Sequence, residues 1–236
     1  MQFGMFTSHS RCHGMYPKEP WHFGSVPEDI FKKYDRLRYS LIPYIYSCAW
    51  ECIENDVPFI KPLVLEYQDD PIAGEIDDEY IFGNSFLVAP VFSPEDKRKV
   101  YLPSGKWVDY WTKEIFEGGR VYQYDAPIDI LPLFVKSGAI IPMQEDVQYI
   151  EDKVLEKIIL DIYLYGESSF FYRDDYESFE ITAAVAGDVV KIVLPRTDHQ
   201  FSLRLNCSRK IQLEINGEIV SQNRLSNEGN TILLNW

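Results

Sequence analysis

The sequence predicts a mixed fold: an α/β segment of strand, helix and strand, followed by two all-β units with the strand spacing of sandwiches. Three observations predict it. Apolar residues recur at spacings of three and four through Ile30, Tyr34, Leu37, Leu41, Ile45, Cys48 and Cys52, which is the period of a helix. Downstream of Glu66 that period disappears, and short runs rich in Val, Ile, Tyr and Phe alternate with turn residues. A polar, charged stretch from Gln144 to Glu156 divides those runs into two groups.

In chain order, Gln2 to Phe6 is strand-like and runs into a loop crowded with Arg, His and Trp. Apolar residues begin at position 1, where a natural terminus is usually polar and loosely held, so that position is read as an internal boundary of a larger fold. Ser25 can cap the following helix and Pro27 can open it. Pro43 removes a backbone donor inside the run, which predicts a kink or two consecutive helices meeting near Leu41. Asp56 to Pro58 ends the helix, and Phe59 to Leu65 reads as a short buried strand. The next strands are Tyr80 to Phe82, Phe86 to Phe92, Lys99 to Leu102, Trp107 to Tyr110, Ile130 to Val135 and Ala139 to Pro142. Those of the last unit are Lys157 to Tyr165, Ser169 to Arg173, Val189 to Leu194, Ser202 to Asn206, Ile211 to Ile215 and Thr231 to Leu234. Asn216-Gly217 there marks a hairpin turn.

A chain of 236 residues that is 46% hydrophobic can bury a sizeable core and has room for more than one modest domain. Its 23 basic and 37 acidic residues give a formal charge of −14, which argues against nucleic acid or an anionic membrane as partner. No run approaches the roughly 18 apolar residues of a membrane helix. Cys12, Cys48, Cys52 and Cys207 follow no metal spacing and read as reduced, which leans towards a cytoplasmic location. His9, Cys12 and His13 resemble ligands superficially, but no fourth donor accompanies them, and no metal or cofactor is expected.

The dense chemical cluster is Ser8-His9-Ser10-Arg11-Cys12-His13, followed by Glu19, Trp21 and His22. If Gln2 to Phe6 is a strand of a parallel barrel, this loop leaves its carboxyl end, the face on which such barrels build active sites. Arg and His can donate hydrogen bonds to hydroxyls there. Taken alone, a histidine in an unknown fold more often serves packing.

Further motifs carry a resemblance. Arg11-Cys12-His13-Gly14, Glu19-Pro20-Trp21 and the run from Tyr34-Asp35-Arg36-Leu37-Arg38 to Pro43-Tyr44-Ile45-Tyr46 resemble the later part of the catalytic barrel of glycoside hydrolase family 31, the family of α-glucosidases and α-xylosidases. Pro58-Phe59-Ile60-Lys61-Pro62-Leu63, Asp77-Asp78-Glu79-Tyr80-Ile81-Phe82-Gly83 and Phe86-Leu87-Val88-Ala89-Pro90-Val91 continue the match. Tyr101-Leu102-Pro103-Ser104-Gly105 and Leu131-Pro132-Leu133-Phe134 to Ile141-Pro142 are similar to the β-sandwich after that barrel. Each motif is weak alone, whereas their ordered succession over roughly the first 145 residues is specific. In the last third only Phe171-Tyr172-Arg173-Asp174-Asp175-Tyr176 is similar to the family's acidic turn, with Arg173 and Tyr176 where a Glu and a Gly are usual.

The resemblance implies a carboxyl-terminal portion of a (β/α)8 catalytic barrel over residues 1–65, a proximal β-sandwich over 66–145 and a distal β-sandwich over 146–236. It also implies retaining hydrolysis of terminal α-linked sugars in an oligosaccharide or glycoside, with one aspartate as nucleophile and another as acid and base. The motifs that hold those two aspartates are absent here, so the chain alone is expected to be inactive and no catalytic residue is assigned. Asp69-Asp70 and Asp77-Asp78 read as solvated turns rather than substitutes. His13 matches the family's histidine that contacts sugar hydroxyls, Arg11 shares its motif, and Trp21 either lines the pocket or packs beneath the loop. The form Thr7-Ser8-His9-Ser10-Arg11 is closer to the α-xylosidase branch.

Two barrel strands without neighbours would leave unpaired backbone edges. The expected partner is the missing amino-terminal part of the barrel, with self-association as the other way to cover that face. The competing reading is a non-catalytic carbohydrate-binding or structural β-sandwich module, with Trp107 and Trp111 as candidate sugar platforms.

Overall fold

The computed structural model of the chain describes residues 1–150, 154–207 and 209–236. Residues 151–153, in the stretch read as the internal boundary, lie outside the described residues.

Four helices occupy the first third: α1 (Gln2–Met5), α2 (Ser25–Ser40), α3 (Ile42–Asn55) and α4 (Leu63–Glu66). The long apolar period therefore folds as two helices that meet at Leu41, with Pro43 in the first turn of the second, where its missing N–H is not needed. Nine strands follow in the middle of the chain: β1 (Ile60–Pro62), β2 (Tyr80–Phe82), β3 (Phe86–Val88), β4 (Lys97–Leu102), β5 (Lys106–Asp109), β6 (Ile115–Glu117), β7 (Arg120–Asp125), β8 (Leu133–Lys136) and β9 (Ile140–Met143). The last third adds β10 (Lys157–Tyr163), β11 (Glu167–Arg173), β12 (Ser178–Ala186), β13 (Val189–Val193), β14 (Gln200–Asn206), β15 (Gln212–Ile215), β16 (Glu218–Ile219), β17 (Ser226–Glu228) and β18 (Thr231–Asn235).

Two expected elements are corrected. Gln2 to Phe6 is not a strand but the single helical turn α1, closed by the Met5 N–H donating to the Met1 carbonyl at 3.1 Å. A short apolar run does not itself distinguish a strand from a buried helical turn, and here no neighbouring strand offers a ladder. The stretch Phe59 to Leu65 divides into β1 and α4, because Pro62 has no N–H with which to continue a ladder. Moreover, β1 pairs antiparallel with β2, so it belongs to the β region rather than to a parallel barrel. The mixed fold class stands: a helical barrel remnant followed by β-sheets.

The first sheet has the order β1-β2-β3-β8-β5-β6, and the ribbon β4-β7 covers one of its faces. Side-chain alternation divides the sheet cleanly. Ile81, Leu87 and Phe134 point towards Val100, Leu102 and Trp107 on the ribbon side. Tyr80, Phe82, Phe86 and Val88 point the other way, onto Tyr34, Leu41, Tyr44 and Cys48 of the helices. The distal sandwich packs the sheet β17-β18-β14-β10-β9 against β11-β12-β13-β15-β16 around Leu160, Ile181, Leu203 and Leu213. Since β9 pairs antiparallel with β10, this sheet takes its edge strand from the middle of the chain.

The acidic turn after β11 also ties the sandwich to the helices. Asp174 accepts hydrogen bonds from the Tyr176 and Glu177 amides, both at 2.8 Å. Asp175 accepts from the Tyr46 hydroxyl on α3, and the Arg173 guanidinium stacks 3.9 Å from the Trp50 ring centroid. Trp107 is buried and donates its indole N–H to the Pro103 carbonyl, while Trp111 donates to the Leu131 carbonyl and packs edge-on against Tyr34. Neither forms the exposed platform that a sugar-binding module would need.

Candidate functional site

The loop between α1 and the 3₁₀ turn Pro20–Phe23 carries the chemical cluster, and its path is held from both sides. On one side Arg38, from the last turn of α2, donates through Nη1 to the carbonyls of Met5 (2.7 Å) and Thr7 (2.8 Å) and through Nη2 to that of Ser8 (3.1 Å). A planar guanidinium reaches the three carbonyls from two nitrogens in a rigid fork, whereas a lysine would have to meet all three from one ammonium. Burial lowers its pKa and Asp35 opposes that change; an arginine stays charged regardless. On the other side the Tyr80 hydroxyl, in β2, donates to the Phe6 carbonyl at 2.9 Å. Phe6 is buried against Phe82 and Phe86, with ring centroids 5.5 and 6.3 Å away. The Gln2 side chain accepts from the Val91 N–H at 2.7 Å. Within the loop the Thr7 hydroxyl lies 3.0 Å from the Gly4 carbonyl oxygen and 2.9 Å from that of His9.

Beyond these ties lies an open cavity of about 1020 Å³, lined on the loop side by His9, Arg11 and His13 and on the helix side by Asp35 and Arg38. Arg11 and His13, both expected from the sequence to meet a ligand, thus share one concavity with His9. Trp21 does not join them: it is 60% exposed on the 3₁₀ turn and is absent from the lining. Asp35 is the single carboxylate on the wall among the described residues. Donors for hydroxyls are therefore gathered here, but a pair of carboxylates is not.

One member of each acidic pair in the sequence, Asp70 and Asp78, is engaged in structure. Asp70 accepts from the Ile72 and Ala73 amides and from the Tyr101 hydroxyl, which holds its pKa below the usual range. Asp78 pairs with Arg98 at 3.0 Å. Glu79, which nothing in the sequence set apart from its acidic neighbours, is buried beside Arg98 (3.1 Å) and accepts from the Tyr101 N–H at 2.8 Å. Its Oε2 has no hydrogen-bond partner among the described residues, and burial pushes the carboxyl up to about 7. A second cavity of about 490 Å³, between α3 and the distal sandwich, is lined by Tyr46, Tyr172, Asp174 and Asp175 among others. Its two aspartates are already committed to tyrosine hydroxyls and turn amides.

A helical remnant that presents a histidine- and arginine-bearing loop to a broad cavity, followed by β-sandwiches, is the carboxyl-side architecture of a barrel glycosidase. Two family models match successive parts of the chain. The TIM-barrel domain of glycosyl hydrolases family 31 matches residues 1–48, and the C-terminal domain of that family matches residues 56–141. The chain belongs to glycoside hydrolase family 31. It is 38% identical over 184 residues to an α-xylosidase of Saccharolobus solfataricus, covering 76% of this chain and 25% of the relative. It is 39% identical over 186 residues to α-glucosidase 2 of Bacillus thermoamyloliquefaciens, covering 76% and 24%. The fold aligns with a family 31 dextranase of Flavobacterium johnsoniae complexed with glucose at a TM-score of 0.85 and 29% identity, over 99% of this chain and 34% of that one. An α-xylosidase of Xanthomonas citri aligns at a TM-score of 0.74 and 30% identity, over 87% and 25%. The chain thus spans about a quarter to a third of the length of these relatives.

Proposed function

We propose that this chain is the carboxyl-terminal portion of a retaining α-glycosidase acting on terminal α-linked glucose or xylose residues of an oligosaccharide or glycoside, and that it is inert by itself. The observation that carries this reading is the composition of the loop cavity. Retaining hydrolysis needs two carboxyl groups about 5 to 5.5 Å apart, one to attack the anomeric carbon and one to protonate the leaving oxygen. The wall offers Arg11 and His13 as hydroxyl donors and Asp35 as its lone carboxylate. The remaining barrel supplies the catalytic pair and closes the cavity. Phe92 and Ile128, each 71% exposed at its rim, are the apolar surface that the added barrel covers, or that self-association covers in its absence.

The expected division into residues 1–65, 66–145 and 146–236 belongs to this proposal with its first boundary moved ahead of β1, which pairs with β2, as do substrate contacts at Arg11, His13 and Trp21. Trp21 stands at the outer edge, on the solvent side of the loop. A cytoplasmic location belongs to it as well, favoured by four cysteines that carry free thiols. The test is to read the DNA upstream of the Met1 codon, express the continuous frame found there, and assay it and the 236-residue chain on p-nitrophenyl α-glucoside and α-xyloside. Hydrolysis by the longer product alone is expected. A stop codon directly upstream, or hydrolysis by the short chain, would overturn the proposal.

A further inference from the structure

We propose that Arg38 and Tyr80 are positioning residues that set the loop bearing Arg11 and His13, so that a side chain of the β domain tunes sugar binding in the barrel. This rests on the reading of that loop as the substrate-binding element. The loop has little hydrophobic anchorage of its own beyond Phe6: every residue from Ser8 to Lys18 is exposed. Its geometry must then come from the backbone that precedes it. That backbone is clamped at four consecutive residues, with the Met5, Thr7 and Ser8 carbonyls on Arg38 and the Phe6 carbonyl on Tyr80. The two anchors come from different parts of the fold, one from α2 and one from the first strand pair of the β region, 42 positions apart in sequence. Tyr80 is held in turn by its ring, which packs edge-on against Phe3 at 5.7 Å.

Among the described residues, the hydrogen bonds of the Tyr80 hydroxyl and of the Arg38 fork all go to carbonyls between Phe3 and Ser8. Each donates to the loop-bearing segment; Tyr80 does not line the cavity, and Arg38, which does, has its guanidinium donors on the Met5, Thr7 and Ser8 carbonyls. A carbonyl released from either anchor gains a rotational freedom that is transmitted to His13 a few residues on. Substrate contacts need placement within about 0.5 Å to be effective, so the expected signature is a change in substrate binding larger than the change in global stability.

Three variants separate placement from folding: Tyr80→Phe, Arg38→Lys and, as a control hydroxyl loss remote from the loop, Tyr124→Phe, whose hydroxyl donates to Asp109 at 2.5 Å. Amide hydrogen exchange on the 236-residue chain is the first readout. Tyr80→Phe is expected to speed exchange at Met5 and Phe6 on the order of fivefold, the equivalent of one lost hydrogen bond, and Arg38→Lys by more. Strands β10 and β14 should be unchanged in both, and Tyr124→Phe should leave residues 4–13 unchanged. In the longer reading frame, the same two variants should raise KM for the chromogenic glycoside by more than they lower kcat, with Tyr124→Phe at wild-type KM. Unchanged exchange at Met5 and Phe6 would overturn the clamp. Faster exchange with wild-type KM would overturn its role in substrate placement. A longer wild-type protein without hydrolysis would instead overturn the functional reading, whatever the exchange data show.

Discussion

Ser47 and Arg173 meet across 126 positions of sequence: the Arg173 N–H donates to the Ser47 oxygen at 3.0 Å, and the single Ser47 hydroxyl proton lies between the Pro43 carbonyl at 2.8 Å and the Arg173 carbonyl at 3.1 Å. Ser47 is buried on α3, and Arg173 ends β11. One small side chain therefore joins the barrel remnant to the distal sandwich, with Arg173 stacked on Trp50 and paired with Glu54 beside it.

Ser47→Ala removes the acceptor of the Arg173 N–H together with the hydroxyl shared by the Pro43 and Arg173 carbonyls, at a cost of about 1 to 3 kcal/mol. Denaturant titration of the chain should show the loss. Arg173→Ala, which keeps the backbone contacts with Ser47, should cost less, because its ion pair is largely solvent-screened. Equal stability of Ser47→Ala and wild type would show that the junction does not depend on this contact.

Glu79 makes stability depend on pH. Its carboxyl is raised from an ordinary 4.5 to about 7, mainly by burial and secondarily by Asp78, against the pull of the Tyr101 amide and Arg98. Between those values the folded chain binds more protons than the unfolded chain, so stability falls as pH rises. The contribution is complete below the lower value and is lost above the upper one, and the separation corresponds to about 3 kcal/mol. Calorimetry should show Tm declining from about pH 5 to about pH 8. Glu79→Gln, which retains an acceptor for the Tyr101 N–H, should flatten that decline. Parallel Tm curves for the two proteins would exclude Glu79 as its source.

Gly83 and Gly74 should respond in opposite ways to alanine. Gly83 has φ +61, and a Cβ there would stand 2.3 Å from the Tyr44 hydroxyl, which accepts from the Asn84 and Ser85 amides. Gly83→Ala should destabilise by more than about 2 kcal/mol through overpacking and backbone strain. Gly74 has open space around it and no left-handed backbone, so Gly74→Ala should be neutral or stabilising by up to about 1 kcal/mol. Thermal melts of the two variants provide the comparison, and similar losses would refute it.

For substrate contacts, Arg11→Ala and His13→Ala in the longer reading frame should lower kcat/KM by on the order of tenfold or more, as expected for lost hydrogen bonds to a bound hydroxyl. Trp21→Ala should do less, because the ring faces solvent outside the cavity. A Trp21 variant more impaired than the His13 variant would move the sugar to the outer rim.

Much of this protein was legible in its residues. The helical period from Ile30 to Cys52, with Pro43 marking its division, and the Asn216-Gly217 turn, with φ of +51 and +85, are local matters of backbone preference and appear where the sequence puts them. The loop from Ser8 to His13 was equally legible, because chemically active side chains stand there without an apolar pattern to explain them.

Tertiary structure decided the rest. Whether Gln2 to Phe6 forms a strand or a helical turn depends on what donates to its carbonyls, and two of those donors, Arg38 to Met5 and Tyr80 to Phe6, lie 33 and 74 positions away. The direction of β1 depended on its pairing with β2, and the burial of Trp107 and Glu79 on the ribbon that folds over the sheet. Strands β6, β7, β12, β16 and β17 were not expected from the sequence: β6, β16 and β17 are too short to show a period and are defined by their pairings with β5, β15 and β18, whereas β12 does alternate through Phe179, Ile181, Ala183 and Val185, a signal that the sequence reading missed. Hydrophobic period and turn chemistry are properties of neighbours in sequence; hydrogen-bond acceptance and burial are properties of neighbours in space.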